Sequence, residues 1–183
     1  KIASRRIMTR YYIHIPLPQE SRDAVTAIRK KYGYESKSDP HITLIAPSKI
    51  IVPRSEDELI VALVSAAKKL SQFPVVEKDM YYFDDKEIVC VRIEANAGLV
   101  LCRRALLAAS SGILEPPSGP FADMPNPHVT ILENIPAKDR DSVWSELRGR
   151  VIFSQFTCDK ISLLRKGESD NCWQTIADLP IGS

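Results

Sequence analysis

Residues 10–18, RYYIHIPLP, are β-branched, aromatic and aliphatic, and the run stops at prolines, which predicts a strand. The next stretch, QESRDAVTAIRKKYG, changes period. Val25, Ile28 and Tyr32 recur at helical spacing and Gly33 marks the stop. DPHITLIAP (39–47) returns to strand character. Ser55 with Glu58 three places on forms a capping box, opening a helix whose Leu59, Leu63, Ala66 and Leu70 share one stripe. VVEKDMYYF and EIVCVRIEA, joined at Asp84-Asp85, predict a hairpin. The order then recurs. A helix over about 98–110 leads through the proline-rich EPPSGPFADMPNP to a strand in NPHVTILEN (126–134). A helix over about 138–148, with Val143, Trp144 and Leu147 on its apolar side, precedes strands in RVIFSQFTC, DKISLLRK and CWQTIADL. The pattern predicts an α+β fold of two pseudo-symmetric lobes, about 8–94 and 95–183, within one domain. Residues 1–7, ahead of Met8, are expected to be either an upstream extension or residues added to the natural chain.

The two halves also share a phrase. DPHITLIAP and NPHVTILEN both read proline, histidine, aliphatic, threonine, aliphatic, aliphatic. The chain has three histidines, and two of them open this phrase. Alternate strand residues face opposite ways. His41 and Thr43 therefore share one face and Ile42 and Leu44 the other, and His128 with Thr130 repeats this against Val129 and Ile131. Pro40 and Pro127 suit the start of a strand, where a missing N–H costs least. A strand histidine by itself usually packs or faces water. The same histidine–threonine pair in matching places of a repeated architecture predicts a shared cleft with two imidazoles and two hydroxyls. One neutral imidazole can take a proton while a charged one gives a proton, and the threonines can donate hydrogen bonds to oxygens between them. That set suits a phosphate ester. A two-histidine metal site would need further ligands that the sequence does not show, so neither metal nor cofactor is expected.

Composition narrows this further. In 183 residues, 44% hydrophobic and 26% charged content is that of an ordinary globular protein. A net charge of +2 argues against a large nucleic-acid surface but leaves room for a small basic cleft. No apolar run approaches the roughly 20 residues of a membrane span, and the N-terminal KIASRRIM lacks a signal-peptide core. Cys90, Cys102, Cys158 and Cys172 form no CxxC pair or zinc spacing. Cys158 and Cys172 are expected on neighbouring strands of one hairpin, with residue 165 opposite 172 and 158 out of register. Free thiols in the cytoplasm or another reducing compartment follow.

With both phrases in hand, the chain resembles the 2H phosphoesterase superfamily, named for two H-x-T/S motifs. Its 2′-5′ RNA ligase-like and cyclic phosphodiesterase branches look closest. The resemblance runs from about Met8 and takes in YYIHIPLP, both phrases and ISLLRK…CWQTIA. It implies two lobes, each an antiparallel sheet with helices, around a cleft, with His41, Thr43, His128 and Thr130 as the catalytic set. It implies metal-independent opening of 2′,3′-cyclic phosphates, on RNA ends or nucleotides, to 2′-phosphates. Hydrolysis or joining of 2′-5′ linkages is the alternative, and a non-catalytic RNA-end or nucleotide-binding module is a third. It further implies that His128 activates water and His41 protonates the leaving oxygen. A monomer is expected.

Weaker candidates surround this set. His14 shares the face of Tyr12 in the first strand, which neighbours the histidine strands in the family, so it is either a packed histidine or a cleft residue. Arg165 is a surface charge or a phosphate ligand. Tyr82, Phe83, Phe121 and Trp173 are packing residues or platforms for a base.

Overall fold

The computed structural model describes residues 9–34, 38–83, 87–118, 126–153 and 155–182. Phe121, residues 1–8 and the Asp84-Asp85 turn lie outside them. The elements are β1 (Arg10–Pro16), α1 (Gln19–Tyr32), β2 (His41–Ser48), α2 (Glu56–Ala67), β3 (Phe73–Phe83), β4 (Ile88–Ile93), α3 (Ala97–Ser110), β5 (His128–Leu132), α4 (Arg140–Leu147), β6 (Gln155–Cys158), β7 (Lys160–Lys166) and β8 (Gln174–Pro180). A 3-10 turn, Ala137–Asp139, leads into α4.

The strands form one antiparallel sheet in the order β6-β3-β4-β5-β2-β1-β7-β8. It is two four-stranded halves joined edge to edge, with a histidine strand at the inner edge of each. The join is thin, a single register pair, Ile42 opposite Val129. Neither half comes from one contiguous stretch of chain, because β7 and β8 return to pair with β1.

Ile42, Leu44, Val129 and Ile131 are fully buried and root the histidine strands in the core. The same core takes Val25 of α1, Leu59 and Leu63 of α2, Leu99, Cys102 and Leu106 of α3, and Leu147 of α4. The helices therefore cover the face opposite the histidines. Gly33 ends α1 in the left-handed region (φ 67°), its N–H bonded to the Arg29 carbonyl at 2.9 Å. The capping box forms as expected: the Glu58 N–H donates to Ser55 Oγ and the Ser55 N–H to the Glu58 carboxylate. Gly98 lets α3 lie against β3, since a Cβ there would stand 2.3 Å from that of Phe73.

Three expectations need correction. Helix α2 stops at Ala67, so Leu70 lies beyond its end and Ala67, not Ala66, carries the inner stripe. Strand β6 begins at Gln155 rather than near Arg150, because the Glu77 carboxylate takes the N–H groups of Ile152 and Phe153 (3.0 and 2.8 Å) that a longer strand would offer to a ladder. Cys158 is not in the last hairpin: it lies opposite Phe73 in β6–β3, and Arg165 pairs with Gln174, not residue 172. No disulfide joins the four cysteines, three of which are buried.

Candidate active site

The one pair that joins the half-sheets sets the geometry of the groove. With Ile42 opposite Val129 and both pointing into the core, the antiparallel register sets His41 opposite Thr130 and Thr43 opposite His128 on the other face. The two histidines are diagonal neighbours, a relation that a regular ladder holds to roughly 7–8 Å between backbones. His41, Thr43, His128 and Thr130 are all half-buried, as groups lining a groove should be.

Each imidazole is anchored the same way. His41 Nδ1 lies 2.6 Å from the carbonyl of Asp39 and His128 Nδ1 lies 2.9 Å from that of Asn126. A carbonyl can only accept, so each Nδ1 carries a proton and donates it. That fixes one tautomer in both rings and leaves Nε2, on the far side, to take or give the proton that chemistry needs. The identical offset, two residues back across a proline, is the structural sense of the repeated Pro-His.

Arg29 holds the two strands beneath this face. Only 6% exposed, it donates from Nε to the Ile131 carbonyl (3.0 Å), from Nη2 to that of Thr130 (2.7 Å) and from Nη1 to that of Ser38 (2.8 Å). The guanidinium thus ties β5 to the turn before β2, where the ladder itself gives one pair. Its fork of donors suits several carbonyls at once. The sequence contained a signal for it, because Arg29 lies four residues after Val25 on the inner stripe, where a charge needs a reason to be.

The row across β2, β1, β7 and β8 reads Thr43, His14, Ser162, Asp178. Ser162 Oγ donates to Asp178 at 2.6 Å. His14 is buried, its ring centroid 4.8 Å from that of His41, with its Nδ1 3.0 Å from the Tyr12 hydroxyl. Burial, then the charge of His41, pushes His14 down to about 3 against the pull of Asp178, so it is neutral at pH 7. Burial also lowers His41, with repulsion from Arg29 and His128 adding to it and the Asp39 carbonyl and charge opposing. On the other half, His128 lies opposite Arg92 and Arg92 opposite Asp79, which it pairs through both Nε (2.6 Å) and Nη2.

Beside His41 a cavity of about 500 Å³ is lined by Tyr12, His14, Ser162, Trp173 and Asp178 among others. A second, of about 360 Å³, lies against Asn126 and Pro127, just ahead of His128, with Lys78 and Arg92 in its wall. Trp173 meets Tyr12 edge-on at 4.6 Å, and the Phe83 ring lies 5.5 Å from that of His128. So His14, Phe83 and Trp173 join the groove. Two candidates do not. Tyr82 faces the core side, its ring 6.3 Å from Trp144, and Arg165 pairs with Glu56 of α2 (3.2 Å). One residue of strand register sends each to the opposite face. Tyr12, Arg29, Ser162 and Asp178 were not foreseen; the last two become site residues only through pairing of distant strands. Among the described residues no three His, Cys, Asp or Glu side chains converge as a metal site, and no helix is long and apolar enough to cross a membrane.

This fold, with paired histidine–threonine strands at its centre, defines a class, and comparison with known proteins gives it a family. Residues 16–170 match the model of the 2′-5′ RNA ligase superfamily, and the chain belongs to that family, within the 2H phosphoesterases. Its role is accordingly of the phosphoesterase or RNA-ligase-like kind. The fold is shared with E. coli LigT. The LigT complex with NADP+ is 15% identical, covers 97% of this chain and 100% of that one, and has a TM-score of 0.65. The complex with 3′-AMP is 16% identical over 97% and 100%, at 0.62. TT0787 of Thermus thermophilus is 19% identical over 95% and 98%, at 0.64. No curated protein matches the chain significantly in sequence.

Proposed function

We propose that the protein is a metal-independent phosphoesterase that opens 2′,3′-cyclic phosphates, on RNA ends or nucleotides, to 2′-phosphates. The observation that carries this is the pair of like-anchored histidines, each with Nδ1 spent on a backbone carbonyl, on one face of adjacent strands. The phosphoryl group lies between the two Nε2 atoms. One neutral imidazole takes a proton from water as its oxygen bonds to phosphorus. The bond from phosphorus to the 3′ oxygen breaks, and the other imidazolium gives that oxygen its proton. Thr43 and Thr130 donate to the non-bridging oxygens, where charge builds up. The cavity beside His41, with Trp173 and Tyr12 in its wall, receives the nucleoside. Nucleotide complexes of LigT, a protein of the same fold, agree with a ligand of this class.

One observation favours a second reading, cleavage or joining of 2′-5′ linkages. One cavity reaches Asp39 and Pro40, just ahead of His41, and the other Asn126 and Pro127, just ahead of His128, which suits a phosphodiester with a nucleoside on each side. A panel of 2′,3′-cyclic mononucleotides, RNA with a cyclic-phosphate end and 2′-5′-linked oligonucleotides, assayed in strong chelator with product isomers resolved, separates the readings. The expected result is 2′-phosphate from the cyclic substrates at a rate the chelator leaves unchanged, since the groove supplies acid, base and donors from side chains. Turnover lost in chelator and restored by a divalent ion contradicts the mechanism. Saturable binding without turnover marks a non-catalytic nucleotide-binding module.

A further inference from the structure

The cavity beside His41 carries an ordered set of polar groups on its far wall. Two carboxylates line it, Asp39 in the turn just ahead of His41 and Asp178 in β8. The row from Thr43 through His14 and Ser162 to Asp178 crosses the sheet from β2 to β8, roughly 14 Å between backbones at ordinary strand spacing. A phosphate held by the two histidine motifs is therefore remote from Asp178, and what comes near it is the outer part of the ligand. A carboxylate in the wall of a cavity for an anionic ligand disfavours that ligand unless it meets hydrogen-bond donors. Asp178 is fixed for such a task. The buried Ser162 hydroxyl donates to its Oδ1 at 2.6 Å, and Lys160 Nζ donates to Oδ2 at 3.4 Å. The Ser162 bond, with Lys160 adding and burial opposing, holds the carboxyl below its usual range, so it is ionised. A carboxylate has about four acceptor positions and an ammonium three donors. Both oxygens of Asp178 and the half-exposed Lys160 therefore keep capacity for a ligand. Along the wall the order is donor, acceptor, acceptor: Lys160 Nζ, Asp178 Oδ2, Asp178 Oδ1.

We infer that the Lys160–Asp178 pair is a base-recognition element and that it selects guanine. This rests on the reading above, which places the nucleoside in this cavity. The Watson–Crick edge of guanine presents O6, N1–H and the N2 amine in series: acceptor, donor, donor, the complement of the wall. Lys160 donates to O6, Asp178 Oδ2 accepts from N1–H, and Oδ1 accepts from the N2 amine. The other common bases fit less well. Adenine and cytosine set an amine against the ammonium and an unprotonated ring nitrogen against the carboxylate. Uracil matches at O4 and N3–H but turns a second carbonyl towards Oδ1. Hydrogen bonds to an ionised partner are the strong ones, and two in a fixed order add geometric selectivity. Ser162 is a positioning residue here, since it acts only by aiming the carboxylate. Trp173, edge-on to Tyr12 at 4.6 Å, gives the same cavity an aromatic wall, which any base can use and which therefore adds affinity rather than selectivity.

The ratio of kcat/KM for guanosine 2′,3′-cyclic phosphate to that for the cytidine compound tests this. In the wild type it should be about 10–100, the scale of one hydrogen bond to a charged group. The inosine compound, which keeps O6 and N1–H but lacks the N2 amine, should fall between the two. Asp178→Asn should collapse the ratio towards one. Equal kcat/KM for all four common bases in the wild type overturns the inference, and that measurement needs no variant to fold. So does a guanosine preference undiminished in a folded Asp178→Asn protein. Calorimetric titration with guanosine and cytidine 2′-monophosphates reads the same order without turnover. Tighter binding of the guanosine compound with no cyclic substrate opened contradicts the phosphoesterase reading alone, whereas turnover with no order among the bases contradicts this inference alone.

Discussion

His14 makes acid stability a residue-scale observable. Its folded value, about 3, lies below the ordinary histidine value near 6.5, so between these limits the unfolded chain binds the extra proton. Stability from this group is complete above about pH 6.5 and is lost as pH falls, at up to about 1.4 kcal/mol per unit. Urea unfolding at a series of pH values should show this slope, and His14→Phe should flatten it; equal slopes in both proteins would mean that His14 is not buried neutral. The threonines give a second prediction at this scale. On the proposed mechanism Thr43→Ala and Thr130→Ala each remove one hydrogen bond to an anionic phosphate oxygen, worth about 1.5–3 kcal/mol, while the proton path stays. A loss in kcat of roughly 10–100-fold is expected from steady-state assays, at the low end of what a lost acid or base costs.

At the scale of elements, α3 and β3 meet at Gly98, and two effects compete there. Alanine favours the helix over glycine by about 1 kcal/mol. The added Cβ, however, would stand 2.3 Å from that of Phe73, so the helix or the strand must shift, and overpacking of this kind costs about 1–3 kcal/mol. Packing should win. Gly98→Ala is expected to lower the denaturation midpoint with little change in slope, and a raised midpoint would show that the interface yields freely. The elements themselves were largely legible from the sequence, because their signals are local: the Ser55–Glu58 box, Gly33 after α1, the period-two histidine strands. The errors have non-local causes. The carboxylate of Glu77, 75 residues before Ile152, stops β6 from starting at Arg150, and no pattern within residues 150–158 announces it. Tyr82 and Phe83 are both aromatic and adjacent; only the β3–β4 register decides which of them meets His128.

At the scale of the whole molecule, the single pair between Ile42 and Val129 makes one sheet of two and places both histidine motifs on its open face. Arg29, buried and bonded to carbonyls on either side of that join, is how the helical layer secures it. The repeated phrase made this candidate site legible from the sequence, but the row beside Thr43, His14 with Ser162 and Asp178, emerges only from the return of β7 and β8 to β1. The central claim is that two histidines from the two half-sheets act on one phosphate. It is tested most directly by kcat of His41→Ala, His128→Ala and the double variant on a 2′,3′-cyclic phosphate that the parent opens. Each single variant should lose about 10²–10⁴-fold, and the double variant should be little worse than either, because the two act as one unit. Single variants that keep the parent kcat on every phosphoester the parent cleaves would contradict the account.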